Sequence, residues 1–291
     1  MTAKKQVRAT VERITNLPTL PAIVGRVLRI VNNPESCAND LAAAVEQDVT
    51  LSAKILRLAN SAFYGIPKTV TSINGAVVIL GFKVIRTIVL SLTVFDMFPG
   101  DLKSPLFNRT AFWRHCTSCA LIARSLARRL TGVYPFDAEE AFCAGLLHDI
   151  GKVVMEQYIH EDFHGALRHA KTASLSPYQA EMEKLGYAHT DVAQWLTQRW
   201  DLPAALHIPM VFHHDPLAAP QCGAMAALCH FADHVCYDLK LTIDESYTAP
   251  PVHAEVARKL GISEDDIESV KLLLVNELDK VDLFCGVAAA A

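Results

Sequence analysis

The segment FCAGLLHDIGKVV, residues 142–154, sets a histidine and an aspartate side by side at the end of an apolar run. His148 and Asp149 offer one imidazole and one carboxylate, good donors for a divalent ion but too few for a shell of roughly four to six. Without partners they are two polar residues at a helix break. Candidates for the missing donors lie elsewhere. His115 borders the apolar stripe of Phe112, Cys116, Cys119, Ile122, Leu126 and Leu130. His189 precedes Thr190, a candidate N-cap, and His213 and His214 adjoin at a helix end. Asp233 shares an apolar helix side with Cys229 and Cys236. A lone inward histidine is ordinarily a hydrogen-bonded core residue, whereas a carboxylate facing a core is costly unless paired or metal-bound. The order H…HD…H…HH…D gathers five histidines and two aspartates, enough for one or two divalent ions. Imidazole with carboxylate favours Fe or Mn, with Zn or Ni as alternatives, over Mg or Ca. Asp149 could bridge two ions, and a water shared between them would be acidified towards attack on a phosphate ester.

The remaining histidines, at 160, 164, 169, 207, 230, 234 and 253, follow no such pattern and read as surface or structural residues. Eight cysteines with no secretory h-region in MTAKKQVRATVERITN point to reduced thiols and a cytoplasmic setting. Cys116 and Cys119 form a C-x-x-C on a helical pattern, and Cys222, Cys229 and Cys236 recur every seven residues, so all are expected as small buried hydrophobes. Net charge −4 and only short basic patches, such as Arg124, Arg128 and Arg129, argue against nucleic acid as a partner. The greasiest stretch, from Ala76 to Phe98, is broken by Lys83, Arg86 and Asp96 and falls short of the roughly 18 to 20 residues of a membrane span.

The elements that must position these donors read as helices throughout, with no run of alternating strand residues. Helices are expected over 21–33, 39–47, 50–60, from Ser72 (an N-cap) to Gly81, and over 82–97. FPGDLKSP, residues 98–105, is the best boundary. Beyond it the pattern predicts helices over 107–131, through His148, over 155–171, 176–185, 190–200, 203–213 and 221–239, and a C-terminal helix with an acidic first turn. The fold class is all-α, an N-terminal helical bundle packed on a second helical unit. The expected organisation is an extension over 1–13, a first unit over 14–100, a second over 101–285, and a frayed tail over 286–291.

The ligand order resembles the HD superfamily of metal-dependent phosphohydrolases, and LLHDIGK is close to the metal motif of its HD-GYP phosphodiesterases. That resemblance implies that His115, His148, Asp149 and Asp233 hold one metal, that Asp149 bridges to a second held by His189, His213 and His214, and that Lys152 lies near a substrate phosphate. After HHDP the chain continues LAAPQCGAM, without a DGxGYP segment. The N-terminal half, with its LPxLP opening, ILRLANSAFYG and SINGAVVILG, resembles an HDOD domain, and that likeness runs from about residue 14 to at least 235. Where that family has Asp-Pro this chain has Asp48 and Val49, which permits the same helix start. HDOD proteins are bacterial signalling modules, and many have lost the HD ligands; all seven positions are retained here.

Three readings follow. The first is a regulatory signalling protein with a structural or sensory metal site and signalling proteins as partners. The second is a metal-dependent phosphohydrolase acting on a nucleotide or cyclic dinucleotide, in which Asp149 and Lys152 serve catalysis. The third, a packed scaffold without metal, leaves the buried-side carboxylates unexplained. Arg114 is expected to point about 100° away from His115, and Arg199 to pack with Trp195 and Trp200. Asn60 and Ser61 with Phe63 and Tyr64 read as a capped helix end or as a ligand groove. Lys83 and Arg86 read as snorkelling cations or as partners for an acid.

Overall fold

Residues 19–98, 104, 106–220 and 223–290 are described by the computed structural model. The LPxLP opening falls partly, the 1–13 extension and Cys222 wholly, and the 98–105 boundary largely outside these residues. All regular structure among the described residues is helical, as the periodicity requires. The chain divides into two compact units, one made of 18–100 with 276–291, the other containing 101–275.

The first unit carries α1 (Ala22–Asn32), α2 (Ala38–Val45), α3 (Val49–Ala59), α4 (Ile73–Leu80) and α5 (Phe82–Met97). The Asp48 carboxylate accepts from Leu51 N at 2.9 Å, so α3 starts at Val49 with an acidic cap. Ser72 Oγ likewise accepts from Gly75 N at 3.0 Å and opens α4. Gly81, at φ +87°, turns the chain between α4 and α5, a conformation that only glycine adopts cheaply. The Asn60 amide donates to Leu56 O and Val70 O and accepts from Val70 N, and Ser61 Oγ donates to Leu58 O. LANSAFYG is therefore a closed helix end. Arg86 is buried and does not stand at a solvent edge.

The C-terminus departs from expectation. Residues 276–291 group with the first unit, and α15 (Glu264–Ala289) carries the chain there, helical as far as Ala289. Phe284 packs on Phe63 with ring centroids 4.9 Å apart, Val287 and Ala288 are buried, and Lys54 Nζ donates to Asp96 Oδ1 at 2.6 Å and to Ala288 O at 3.3 Å. Burial of Val287 and Ala288 holds this end of the helix in place.

The second unit holds α6 (Arg109–Arg129), α7 (Ala138–Leu147), α8 (Ile150–Tyr158), α9 (His160–Ala173), α10 (Pro177–Leu185), α11 (His189–Arg199), α12 (Ala204–Phe212), α13 (Gly223–Asp238), α14 (Ala254–Leu260) and the start of α15. Three details differ from the sequence reading. The pattern through His148 is two helices, broken where Asp149 takes φ −99°, ψ 9°. The 155–171 pattern breaks again at Ile159. Thr190 is not the cap of α11: Ala188 is, its N–H donating to Asp191 Oδ2 at 2.9 Å, and His189 is the first helical residue.

Two glycines let the helices meet where the donors stand. A Cβ on Gly145 of α7 would lie 2.8 Å from Ala120 Cα and Cys119 O of α6. One on Gly151 of α8 would lie 2.0 Å from His189 O at the start of α11. Side chains of any size at these positions would hold the helices apart.

Candidate metal centre

His115 on α6, His148 and Asp149 at the α7–α8 break, His189 at the start of α11, His213 and His214 just past α12, and Asp233 on α13 converge on one buried point of the second unit. None is more than 9% exposed. All seven sequence candidates are thus brought together, and Lys152 with them.

Asp149 stands at the middle. Its Oδ2 lies 3.6 Å from His115 Nε2 and 3.4 Å from His148 Nε2. Its Oδ1 lies 3.1 Å from His189 Nε2 and 3.5 Å from His213 Nε2. The two oxygens therefore address two donor sets. Asp233 Oδ1 adds to the first, 3.2 Å from His115 Nε2 and 3.9 Å from His148 Nε2. His214 Nε2 adds to the second, 3.2 Å from His189 Nε2. Donors about 2.1 Å from a common ion stand about 3.0 to 3.4 Å from each other in octahedral or tetrahedral geometry; four of the seven separations fall in that range, and the other three, at 3.5, 3.6 and 3.9 Å, lie just above it.

The imidazoles are oriented from behind. Nδ1 of His115 is 2.8 Å from Leu241 O, that of His148 2.7 Å from Gly145 O, and that of His213 3.1 Å from Pro209 O. Nδ1 of His189 is 2.6 Å from Glu181 Oε2. A carbonyl or carboxylate there accepts an Nδ1–H, which leaves the Nε2 lone pair for the centre. His148 Nε2, Asp149 Oδ1 and Asp233 Oδ1 are buried without a hydrogen-bond partner. Buried polar atoms are normally satisfied, and three orphans turned to one point are what a bound cation would satisfy. The residues present fit such a group.

Charge divides the donors: against their burial, Cys119, Asp149 and Asp233 hold His115 above the usual imidazole range, and Glu181 and Asp149 push His189 up to about 9, a positive charge that a bound cation would replace. Burial disfavours the Asp149 carboxylate, yet Lys152, His148 and His189 hold it well below the usual carboxylate range. Lys152 Nζ donates to Asp149 Oδ2 at 2.6 Å, and the acids around it outweigh its burial and keep it charged. Burial pulls His213 down to about 4 and lowers His214, so both rings are neutral donors at pH 7.

Sequence reasoning missed three contributors. Cys119 Sγ lies 3.7 Å from His115 Nε2 and falls within the His115, His148 and Asp233 set, all four donor atoms within 4.8 Å of one another. Its spacing of one helical turn from His115 was the available signal. Glu181 is fully buried behind His189 and also accepts its backbone N–H at 2.8 Å; nothing in QAEMEKLG distinguishes it from a surface acid. His230 Nδ1 donates to His213 O at 2.8 Å and pins the His213–His214 corner.

A cleft of about 240 Å³ opens beside His115, lined among others by Arg114, Lys240, Thr242, Asp244 and Glu245. Arg114 thus borders a cleft that His115 also lines. Arg199 sits over the Trp195 ring at 5.6 Å, a packed face. No helix of the described residues is long and apolar enough to cross a membrane.

The HDOD domain family model matches residues 17–216. An HDOD domain protein of unknown function from Geobacter sulfurreducens is 27% identical, with 97% of each chain covered and a TM-score of 0.79. A candidate phosphohydrolase from Shewanella amazonensis is 26% identical, covering 97% of this chain and 98% of that one, with a TM-score of 0.74. An uncharacterized protein of Treponema pallidum is 28% identical over 210 residues, 72% of this chain, and this chain spans 40% of its length.

Proposed function

This chain belongs to the HDOD family, and from that premise we propose that it is a bacterial signal-transduction protein whose second unit holds a dinuclear divalent-metal centre in a regulatory role. His115, His148 and Asp233 hold one ion, His189, His213 and His214 the other, and Asp149 is shared. Fe or Mn fills the centre, with Zn or Ni as alternatives. The observation that carries this reading is the division of Asp149, with Oδ2 turned to one donor set and Oδ1 to the other. Bound ions would supply concentrated positive charge and Lewis acidity at a point where several helices meet. Burial of every donor favours a centre that is read through the fold. Output then runs through signalling protein partners in the cytoplasm, and a nucleotide or phosphate is the class of small ligand that fits.

The test is metal content of protein purified without chelators, followed by a turnover screen. The reading expects at least two ions per chain, and no phosphoester hydrolysis above that of His148→Ala. A value near zero that persists after reconstitution overturns the centre.

A second reading is a metal-dependent phosphohydrolase acting on a nucleotide or cyclic dinucleotide. It is favoured by the cleft beside His115, where Arg114 and Lys240 offer cations to a phosphate. Asp149 and Lys152 are its candidate catalytic residues: the carboxylate fixes both donor sets and the ammonium fixes the carboxylate. Hydrolysis that disappears in His148→Ala and returns with Mn or Fe only in the wild type selects this reading over the first.

A further inference from the structure

Seven histidines stand outside the centre, and two of them, one half-buried and one buried, share a cluster with a buried carboxylate. His160 and His164 lie one turn apart on α9 and so share a face. Their rings are 3.8 Å apart between centroids at 40°. Glu156, one turn earlier in the last part of α8, completes a group whose donor atoms all lie within 4.8 Å of one another. The break at Ile159 keeps both helices' side chains on this side, with Ile159 N–H still donating to Met155 O at 2.9 Å.

Glu156 is fully buried and uses only one of its oxygens. Oε2 accepts from Arg109 Nη2 at 2.6 Å and from Nε at 3.2 Å. Oε1 is buried with no hydrogen-bond partner and lies 3.5 Å from His160 Nδ1. The ion pair with Arg109 thus leaves one carboxylate oxygen facing His160, whose Nδ1 also lies 3.2 Å from Glu156 O. Arg109 holds the carboxylate as an outer hydrogen-bond partner holds a ligand. His164 is fixed likewise: Ser104 Oγ, which accepts from the N–H groups of Leu106 and Phe107, stands 3.0 Å from its Nε2. The group lies seven residues along α8 from Asp149, about 10 Å at helical rise, and is separate from the centre.

We propose that Glu156, His160 and His164 form a third, mononuclear site for a borderline divalent transition ion. Two imidazoles and one carboxylate oxygen suit Zn²⁺, Co²⁺ or Ni²⁺, whereas Mg²⁺ and Ca²⁺ want more oxygens than the group offers. The inference does not depend on the dinuclear centre being filled.

The test uses the full chain, stripped with a chelator, loaded with a small excess of Zn²⁺ and desalted before metal counting. The wild type should retain one more Zn²⁺ per chain than His160→Ala/His164→Ala, and His189→Ala should still retain that ion. Co²⁺ loading should give a visible absorption band that the double variant loses. Far-UV circular dichroism checks its fold, and His160→Ala alone, whose side chain is 42% exposed in the wild type, repeats the test at a site that can lose its ring without unfolding. Equal Zn²⁺ content in wild type and both folded variants overturns the proposal.

Discussion

Gly151→Ala adds one methyl group at the point where α8 meets α11, and its consequence can be worked from the geometry. The new Cβ would stand 2.0 Å from His189 O, where real Cβ contacts do not fall below 3.0 Å, so the two helix starts must part by at least 1 Å. The obstacle is backbone and cannot rotate away. Two stability effects oppose each other. Alanine in place of helical glycine gains up to about 1 kcal/mol, and overpacking costs about 1 to 3 kcal/mol, its upper end being apt for a backbone clash. The expected net loss is about 1 to 2 kcal/mol. The effect on the centre is larger in kind. Asp149 Oδ1 and His189 Nε2 are 3.1 Å apart, and ligand distances are tolerated only to about 0.2 Å. A shift of 1 Å is about five times that tolerance, so the His189 donor set should fail while the His115 set, on the other side of Asp149, survives. Metal analysis should therefore find one ion per chain fewer than in the wild type, with a lower unfolding midpoint. Gly286→Ala is the control, since a Cβ there meets nothing within 4 Å and should stabilise slightly with metal unchanged. An unchanged metal content with an equal or higher midpoint would refute the role given to the close approach.

Glu181→Gln keeps the shape behind His189 but weakens the Nδ1 contact of 2.6 Å; affinity for the second ion should fall about 10- to 100-fold, measured by competition with a chromophoric chelator. Asp149→Asn leaves the Lys152 ammonium buried and unpaired, which should cost about 3 to 5 kcal/mol in metal-free denaturant unfolding. Adding Lys152→Met should recover most of that stability without recovering metal, and a double variant no more stable than the single one would refute the pairing. Cys119→Ala should lower retention of the first ion against a thiol-competing chelator if the thiol joins that set, while leaving the second ion in place; unchanged retention of both would return Cys119 to a packing role.

Much of this was legible because it lay in spacing. The five helices between 22 and 97, the Ser72 cap and the Gly81 turn follow from local patterns, and each is set by interactions within a few residues. The donor order was legible for a related reason, since inward-facing histidines and carboxylates have few inexpensive explanations. What was not legible depends on partners distant in sequence. The break at Ile159 interrupts a helical pattern that continues through it. Glu181 reads as a surface acid until α10 is laid against α11. His160 and His164 show an i, i+4 spacing, but only the burial of Glu156 beside Arg109 gives it meaning. The terminal alanines looked free because nothing nearby packs on them, and the residues that do, around Lys54 and Phe63, precede them by more than 200 positions.

The same arrangement bears on how an ion at the centre would communicate. Its donors come from five places in the second unit, α6, the α7–α8 break, α11, the end of α12 and α13, and four of the five imidazoles are tied in turn to a carbonyl or carboxylate. Without a cation, two buried carboxylate oxygens and one imidazole nitrogen lack partners, and each such deficit costs about 1 to 3 kcal/mol. An ion that binds only the assembled form stabilises it by about 4 kcal/mol at a thousand times its dissociation constant. Occupancy would therefore be felt as cohesion of the whole helical unit, and Leu241, whose carbonyl holds His115, lines the cleft beside the centre. A partner or phosphate ligand in that cleft would meet a wall whose position depends on the ions. Regulation of this kind needs no turnover, and it accounts for keeping every donor out of water.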